Sequence, residues 1–162
     1  MASGSSKSLD SGGRKPLIVA AVPCFNEERF IGSVVLKARK HVGQVIVVDD
    51  GSTDATAEIA VSAGALVLRH DCNLGVGVAT RTAFRKAREM GADVMIRLDG
   101  DGQHNADEIP AVIAPILKGE ADVVVGSRFL AGKERPPFYP VSYTHLRAHE
   151  TVLDLVCRLL LE

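Results

Sequence analysis

Sorted into apolar and polar positions, the chain repeats one unit. An apolar run of strand length is followed by a polar loop, and then by apolar residues spaced three and four apart. The runs are Leu17-Ile18-Val19-Ala20-Ala21-Val22, Gln44-Val45-Ile46-Val47-Val48, the shorter Ala65-Leu66-Val67-Leu68-Arg69-His70, Val94-Met95-Ile96-Arg97-Leu98, and Ala121-Asp122-Val123-Val124-Val125-Gly126. Nearly continuous apolar strands are the signature of a sheet covered on both faces. Between them, Ile31, Val34, Val35 and Ala38 mark one face of a helix reaching about His41. A second helix runs to about Ala63 and a third from about Val78 to Met90. A fourth opens at Glu108-Ile109-Pro110, with Val112, Ile113 and Ile116 on its buried face and a kink expected at Pro115. Strands alternating with helices imply right-handed crossovers and a mainly parallel sheet flanked by helices, an α/β architecture.

The polar residues at the strand ends are the next feature. Asn26 is placed to cap the first helix, with Glu27 and Glu28 in the first turn, where carboxylates complement the helix dipole. Ser52 or Thr53 can cap the second helix, which leaves the adjacent pair Asp49 and Asp50 unexplained. A carboxylate at a strand end can accept hydrogen bonds from a base or a ribose. The fourth strand stops at Asp99-Gly100-Asp101-Gly102-Gln103-His104. Two carboxylates one residue apart repel unless a cation lies between them or one holds a proton. Hard oxygen ligands of this kind suit Mg²⁺ or Mn²⁺, with water and substrate completing the coordination. The alternative is a solvated Asp-Gly turn. Arg128, past the fifth strand, can clamp diphosphate oxygens or pair with a carboxylate. Parallel sheets bind ligands at the carboxyl ends of their strands, and Glu27, Asp49, Asp50, Asp99, Asp101 and Arg128 all collect there.

Other signals are weaker. Gly75-x-Gly77 is not a dinucleotide fingerprint, because Thr80 stands at the third glycine position. Arg81 and Arg85, one helical turn apart, are within reach of a phosphate as a pair, although Arg85 reads as solvated surface. The 162 residues carry a net charge of −1, so no overall basic field points to nucleic acid. Hydrophobic residues make up 46%, ordinary for a single α/β domain. The three cysteines lack metal-like spacing and fit a reduced, cytoplasmic setting. No run approaches the ~20 apolar residues of a membrane-spanning helix. Residues 1–15 are Ser/Gly-rich, without the apolar core of a signal peptide, and read as a disordered leader.

Taken together, Pro23-Cys24-Phe25-Asn26-Glu27, Asp49-Asp50-Gly51-Ser52-Thr53-Asp54, Asn73-Leu74-Gly75-Val76-Gly77, Asp99-Gly100-Asp101-Gly102-Gln103-His104 and Val125-Gly126-Ser127-Arg128 occur in order at suitable spacing. In these segments the chain resembles family 2 glycosyltransferases of the GT-A fold, and within them the dolichyl-phosphate mannose synthases and their polyprenyl-phosphate relatives. The resemblance covers about Leu17 to Leu130 and implies a nucleotide-sugar-binding domain over residues 16–135. It implies that Asp50 contacts the nucleobase, with Pro23, Phe25 and Glu27 shaping the nucleoside pocket. Asp99 would face the ribose and the metal, Asp101 would be the main metal ligand, Gln103 would assist, and Arg128 would hold phosphate. The implied reaction moves a sugar from GDP-mannose or a UDP-sugar, with inversion and with Mg²⁺ or Mn²⁺, to an acceptor such as polyprenyl or dolichyl phosphate. An anionic lipid-phosphate acceptor needs no strong general base, whereas a hydroxyl acceptor does. Relatives work at the cytosolic face of membranes, which implies peripheral membrane association for the parent protein.

The chain departs from the family pattern in places. Phe25 stands where Tyr is usual, Val76 where the mannose synthases often have Lys, and Asn105 where Pro often follows Gln-His. No family motif is evident in residues 136–162, which look like a foreign, adapter-like tail on a chain truncated at its C-terminus. The competing reading is an amphipathic helix carrying Val152, Leu155, Val156 and Leu159 on one face. His145 and His149 are spaced i, i+4 without an evident third ligand and read as surface histidines. Two functional alternatives accompany the transferase reading. One is a module that binds a sugar nucleotide without turnover. The other is a sugar-phosphate nucleotidyltransferase, disfavoured because no Gly-rich, Arg/Lys-bearing loop follows the first strand.

Overall fold

A computed structural model describes residues 14–126 and the backbone of residues 154–158. The elements in chain order are β1 (Ile18–Cys24), α1 (Ile31–Ala38), β2 (Gln44–Asp49), α2 (Thr56–Ser62), β3 (Leu66–Arg69), α3 (Val76–Glu89), β4 (Val94–Arg97), a 3₁₀ turn (Ala106–Glu108), α4 (Ile109–Leu117), β5 (Val123–Gly126) and β6 (Asp154–Arg158). One six-stranded sheet has the order β3-β2-β1-β4-β6-β5. β1 is central and parallel to both β2 and β4, and β3 is parallel to β2. β6 runs antiparallel to both β4 and β5. The expected mainly parallel sheet is therefore present, with an inserted antiparallel strand. Asp154–Arg158 extends as a strand where an amphipathic helix was the alternative. The segment 154–158 holds consecutive apolar residues, Leu155-Val156-Cys157, which suit a short strand between two others. Residues 1–13, 127–153 and 159–162, with Arg128, His145 and His149, lie outside the described residues.

The central strands β1, β2 and β4 are buried on both sides, as their unbroken apolar runs require, whereas Val123 and Val125 of β5 are exposed. On one face Ala20, Val22 and Cys24 of β1 pack with Val45, Val47, Val94 and Ile96 against Ile31, Val34 and Val35 of α1 and Ile109, Ile113 and Ile116 of α4. On the other, Val19, Ala21, Ile46, Val48 and Met95 meet Ala79, Ala83 and Ala87. These alanines form an i, i+4, i+8 stripe that lets α3 lie close to the strands. Each fully buried Val or Ile contributes about 1.5–3 kcal/mol. That core fixes the carboxyl ends of β1, β2 and β4 side by side.

The helix starts differ from the sequence reading. α1 begins at Ile31 and α2 at Thr56, and neither has a side-chain cap on its N-cap residue. Asn26 adopts φ 55° and accepts from the Thr53 amide through Oδ1 at 2.9 Å, so it does not cap α1. Ser52 Oγ accepts from the Asn26 amide at 2.9 Å instead of capping α2. These polar groups bind across the β1–α1 and β2–α2 loops, and long-range pairing outcompetes local capping. At α2 the local work falls to Asp54, whose Oδ1 accepts from the Thr56 amide at 3.0 Å.

Candidate functional site

The strand ends open into a cavity of about 350 Å³ lined by Pro23, Cys24, Phe25, Glu27, Asp50, Asn73, Val76, Ala79, Asp99, Gly100 and Asp101. It lies where β1 stands between β2 and β4, at the carboxyl ends of all three. Pro23, Phe25, Glu27, Asp50, Asp99 and Asp101, singled out from the sequence, meet here. Gln103 is exposed and does not line the cavity; its backbone N–H donates to Asp101 Oδ1 at 2.9 Å. Arg81 and Arg85 are exposed on α3 and do not line it either. Arg128 lies outside the described residues.

Two loops frame one wall. The Asn26 amide donates to Ser52 Oγ, the Glu27 amide to Thr56 Oγ1 at 2.8 Å, and the Glu28 amide to Asp54 Oδ2 at 3.2 Å. In return the Ala55 amide donates to Glu28 Oε2 at 3.1 Å. Glu28 and Asp54 are thus committed to the scaffold. Glu27 is held by its backbone, which leaves its carboxylate facing the cavity. Burial lifts its pKa above the usual carboxylate range, and the charges of Asp101, Asp54 and Asp99 lift it further. Gly100 lets the β4 loop approach this wall, since a Cβ there would lie 3.0 Å from Cys24 Cβ and 3.4 Å from Glu27 Cγ. Burial, reinforced by Asp49 and Glu27, pushes the Cys24 thiol up to about 12.

The adjacent aspartates of β2 divide their work. Asp49 is fully buried; its Oδ1 accepts from the Ser52 amide at 2.9 Å, and Arg69 Nε lies 3.2 Å from its Oδ2. It is a turn-forming residue. Asp50 lines the cavity and also holds the loop after β3. Its Oδ1 is 2.7 Å from His70 Nδ1 and accepts from the Leu74 amide at 3.0 Å, while Oδ2 accepts from the Gly75 amide at 2.7 Å. Burial alone would raise the Asp50 pKa, but the bonds from His70, Leu74 and Gly75 bring it below the ordinary value. An ionised Asp50 accepts from His70 Nδ1, and His70 Nε2 lies 3.1 Å from Thr82 Oγ1. His70 and Thr82 were not evident from the sequence, because only the fold brings positions 50, 70 and 82 together.

The aspartates past β4 are less committed to the scaffold. Asp101 Oδ1 accepts one backbone N–H, from Gln103. Asp99 Oδ1 pairs with Arg97 Nη2 at 2.5 Å, and Oδ2 lies 3.7 Å from His104 Nε2. Arg97 was also missed as a site residue, although a charge inside an otherwise apolar strand was its signal. The three acids Glu27, Asp99 and Asp101 therefore line one cavity, and Arg97, which does not line it, pairs with Asp99.

A family description matching this site comes from comparison with known proteins. Glycosyl transferase family 2 matches residues 19–155. The chain belongs to that family. Among curated relatives it is 38% identical over 136 residues to the UDP-N-acetylglucosamine–dolichyl-phosphate N-acetylglucosaminyltransferase of Methanococcus voltae, covering 73% of this chain and 54% of the relative. It is 31% identical over 122 residues to the undecaprenyl-phosphate mannosyltransferase of Micrococcus luteus, covering 71% and 49%. Among solved structures, glucosyl-3-phosphoglycerate synthase from Mycobacterium tuberculosis, in complex with Mn²⁺, UDP-glucose and phosphoglyceric acid, superposes with a TM-score of 0.63 at 25% identity, covering 88% of this chain and 56% of that one. The GT-A fold expected from the motifs agrees with that superposition. The chain spans about half the length of the curated relatives it matches. No helix among the described residues of this family 2 chain is long and apolar enough to cross a membrane.

Proposed function

We propose that this domain binds a nucleotide-diphosphate sugar, GDP-mannose or a UDP-sugar, together with Mg²⁺ or Mn²⁺ in the cavity at the strand ends. In the whole protein it serves inverting transfer of the sugar to a polyprenyl- or dolichyl-phosphate acceptor at a membrane surface. The observation that carries the reading is the convergence of Pro23, Phe25, Glu27, Asp50, Asp99 and Asp101 on one cavity. Supporting it are the relatives named for dolichyl- and undecaprenyl-phosphate acceptors and the neighbour holding Mn²⁺ and UDP-glucose.

The residues present fit a hard divalent cation. The acids of the wall are oxygen ligands, and burial first, then the charges of Asp101, Asp54 and Asp99, raise the Glu27 pKa. Among the described residues no group of three or more His, Cys, Asp or Glu side chains is placed to hold a metal ion, so these residues would supply two carboxylates at most. Asp101, with Asp99 beside it, would hold the ion, leaving positions for diphosphate oxygens and water, the usual arrangement for Mg²⁺. The bound cation supplies charge neutralisation for the departing nucleoside diphosphate. Pro23 and the Phe25 ring form an apolar wall suited to a base, and Asp50 presents an oriented acceptor beside it. Gln103 supports the site by fixing Asp101 through its backbone, and Arg128 is assigned to phosphate. An acceptor phosphate oxygen would form its bond to the anomeric carbon as the bond to the diphosphate breaks, with no strong base required.

Calorimetric titration of the 162-residue chain with GDP-mannose and with UDP-N-acetylglucosamine, with and without Mn²⁺, tests this. Metal-dependent binding of one nucleotide sugar, lost in Asp101→Ala, is expected. No binding to either by a folded chain refutes the donor site. A second reading is donor binding without turnover. Transfer of radiolabelled sugar to a polyprenyl phosphate separates the two.

A further inference from the structure

Arg97 is the unexplained cation of the site. It ends β4 in register with Ala21 of β1, and its side chain is mostly buried. Nη2 lies 2.5 Å from Asp99 Oδ1, while Nε is buried without a hydrogen-bond partner. A guanidinium is a rigid fork of five donors, best satisfied when two of them bind together. Here one nitrogen reaches a cavity-lining carboxylate and another is left with none. A residue serving only to brace the sheet would be expected to satisfy both. This arrangement instead holds a positive charge against Asp99 at the cost of an orphaned donor.

We propose that Arg97 is a built-in counter-ion that competes with the divalent cation for Asp99, so that metal alone binds weakly and enters together with the nucleotide diphosphate. The proposal deepens, and rests on, the metal-dependent donor reading above. Without nucleotide, an incoming ion finds Asp101 and an Asp99 whose Oδ1 is already paired. When a diphosphate supplies further oxygens, the ion has enough ligands to displace Arg97. Arg97 is a positioning residue in this account, acting through Asp99.

Titration of Mn²⁺ alone into the wild-type chain and into Arg97→Met and Arg97→Gln tests it, with free Mn²⁺ followed by electron paramagnetic resonance. Both variants should bind Mn²⁺ about three- to tenfold more tightly than wild type, the effect of removing one partly buried charge beside a ligand. Arg97→Lys, which keeps the charge, should stay near wild type. The gain in metal affinity should shrink when UDP or GDP is present. Unchanged or weaker Mn²⁺ binding in both neutral variants, with wild-type circular dichroism, overturns the proposal. If wild type binds Mn²⁺ with nucleotide but the variants gain nothing, the Arg97 assignment alone fails. If no protein binds Mn²⁺ even with nucleotide sugar, the metal reading fails with it.

Discussion

Replacing Asp50 by Asn removes one charge and keeps the side chain's shape, so its consequence can be worked from three bonds. In the wild type Oδ1 meets His70 Nδ1 at 2.7 Å and the Leu74 amide at 3.0 Å, and Oδ2 meets the Gly75 amide at 2.7 Å. All three are charge-assisted. The amide can keep its oxygen at the Oδ1 position, but its NH₂ then faces the Gly75 N–H, donor against donor. Turned the other way, it opposes two donors. The first orientation therefore wins. Two bonds weaken from charged to neutral, about 1 kcal/mol each, and the Gly75 N–H loses its charged partner but keeps Asn73 Oδ1 at 3.1 Å, about 1–2 kcal/mol more. The sum is about 3–4 kcal/mol, or a melting point lower by about 6–16 °C for a domain of this size. Urea unfolding followed by far-UV circular dichroism measures the first quantity. Hydrogen exchange at the Leu74 and Gly75 amides locates it. The pH dependence gives an independent sign. The native pKa of Asp50 is depressed, so its contribution is present above the unfolded carboxylate value of about 3.9 and is lost as pH falls through the native one. Asp50→Asn should therefore be less sensitive to acid in that range than wild type. A variant within about 1 kcal/mol of wild type, with protection at Leu74 and Gly75 unchanged, would refute Asp50 as the holder of this loop.

The neighbouring glycine and the cysteines give simpler tests. Gly51 has φ +79°, and a Cβ there would lie 2.6 Å from the Cys72 carbonyl carbon and 2.8 Å from the Asn73 nitrogen. Gly51→Ala should cost at least about 1–2 kcal/mol for the left-handed backbone alone, and more as the loop is displaced. Thermal denaturation reads the cost, and a stability equal to wild type would contradict the close approach. Exposed Cys72 should react with iodoacetamide at pH 8, whereas Cys24, buried and raised to about 12, should react only after unfolding. Peptide mass mapping of the native chain decides this, and rapid native labelling of Cys24 would count against the packed β1 end.

What the sequence revealed, and what it withheld, follows from the range of the interactions involved. Strand and helix positions were readable because apolar spacing is a local property, and β1, β2 and β4 fall where the runs predicted. The strand-end acids were readable because parallel topology sends every strand's carboxyl end to one edge. Capping was misread at Asn26 and Ser52, where local preference lost to bonds between loops some 26 or 27 residues apart in sequence. The inserted β6 was unreadable for the same reason. Three apolar residues between charged ends fit a helix face or a strand, and only the pairing partners β4 and β5 choose between them.

The same distinction sorts the acids by what they can do. At the sequence level Asp49, Asp50, Asp54, Glu28, Glu27, Asp99 and Asp101 look alike, each an acid near a strand end. In the folded chain, Asp49, Asp54 and Glu28 accept backbone amides that build the loops. Asp50 accepts two backbone amides and an imidazole while still facing the cavity. Asp101 accepts one N–H and Asp99 a guanidinium, and Glu27 is raised first by burial and then by the acids around it. A carboxylate already satisfied by the protein has little to gain from a cation, because its desolvation is already compensated. One left in a negative field has much to gain. On the proposed donor reading, the metal and diphosphate chemistry falls to the β1–β4 side of the cavity, and Asp50 orients the opposite wall. On the proposal that Arg97 competes for Asp99, the residue governing metal entry is the one supplying positive charge to that side rather than any further acid.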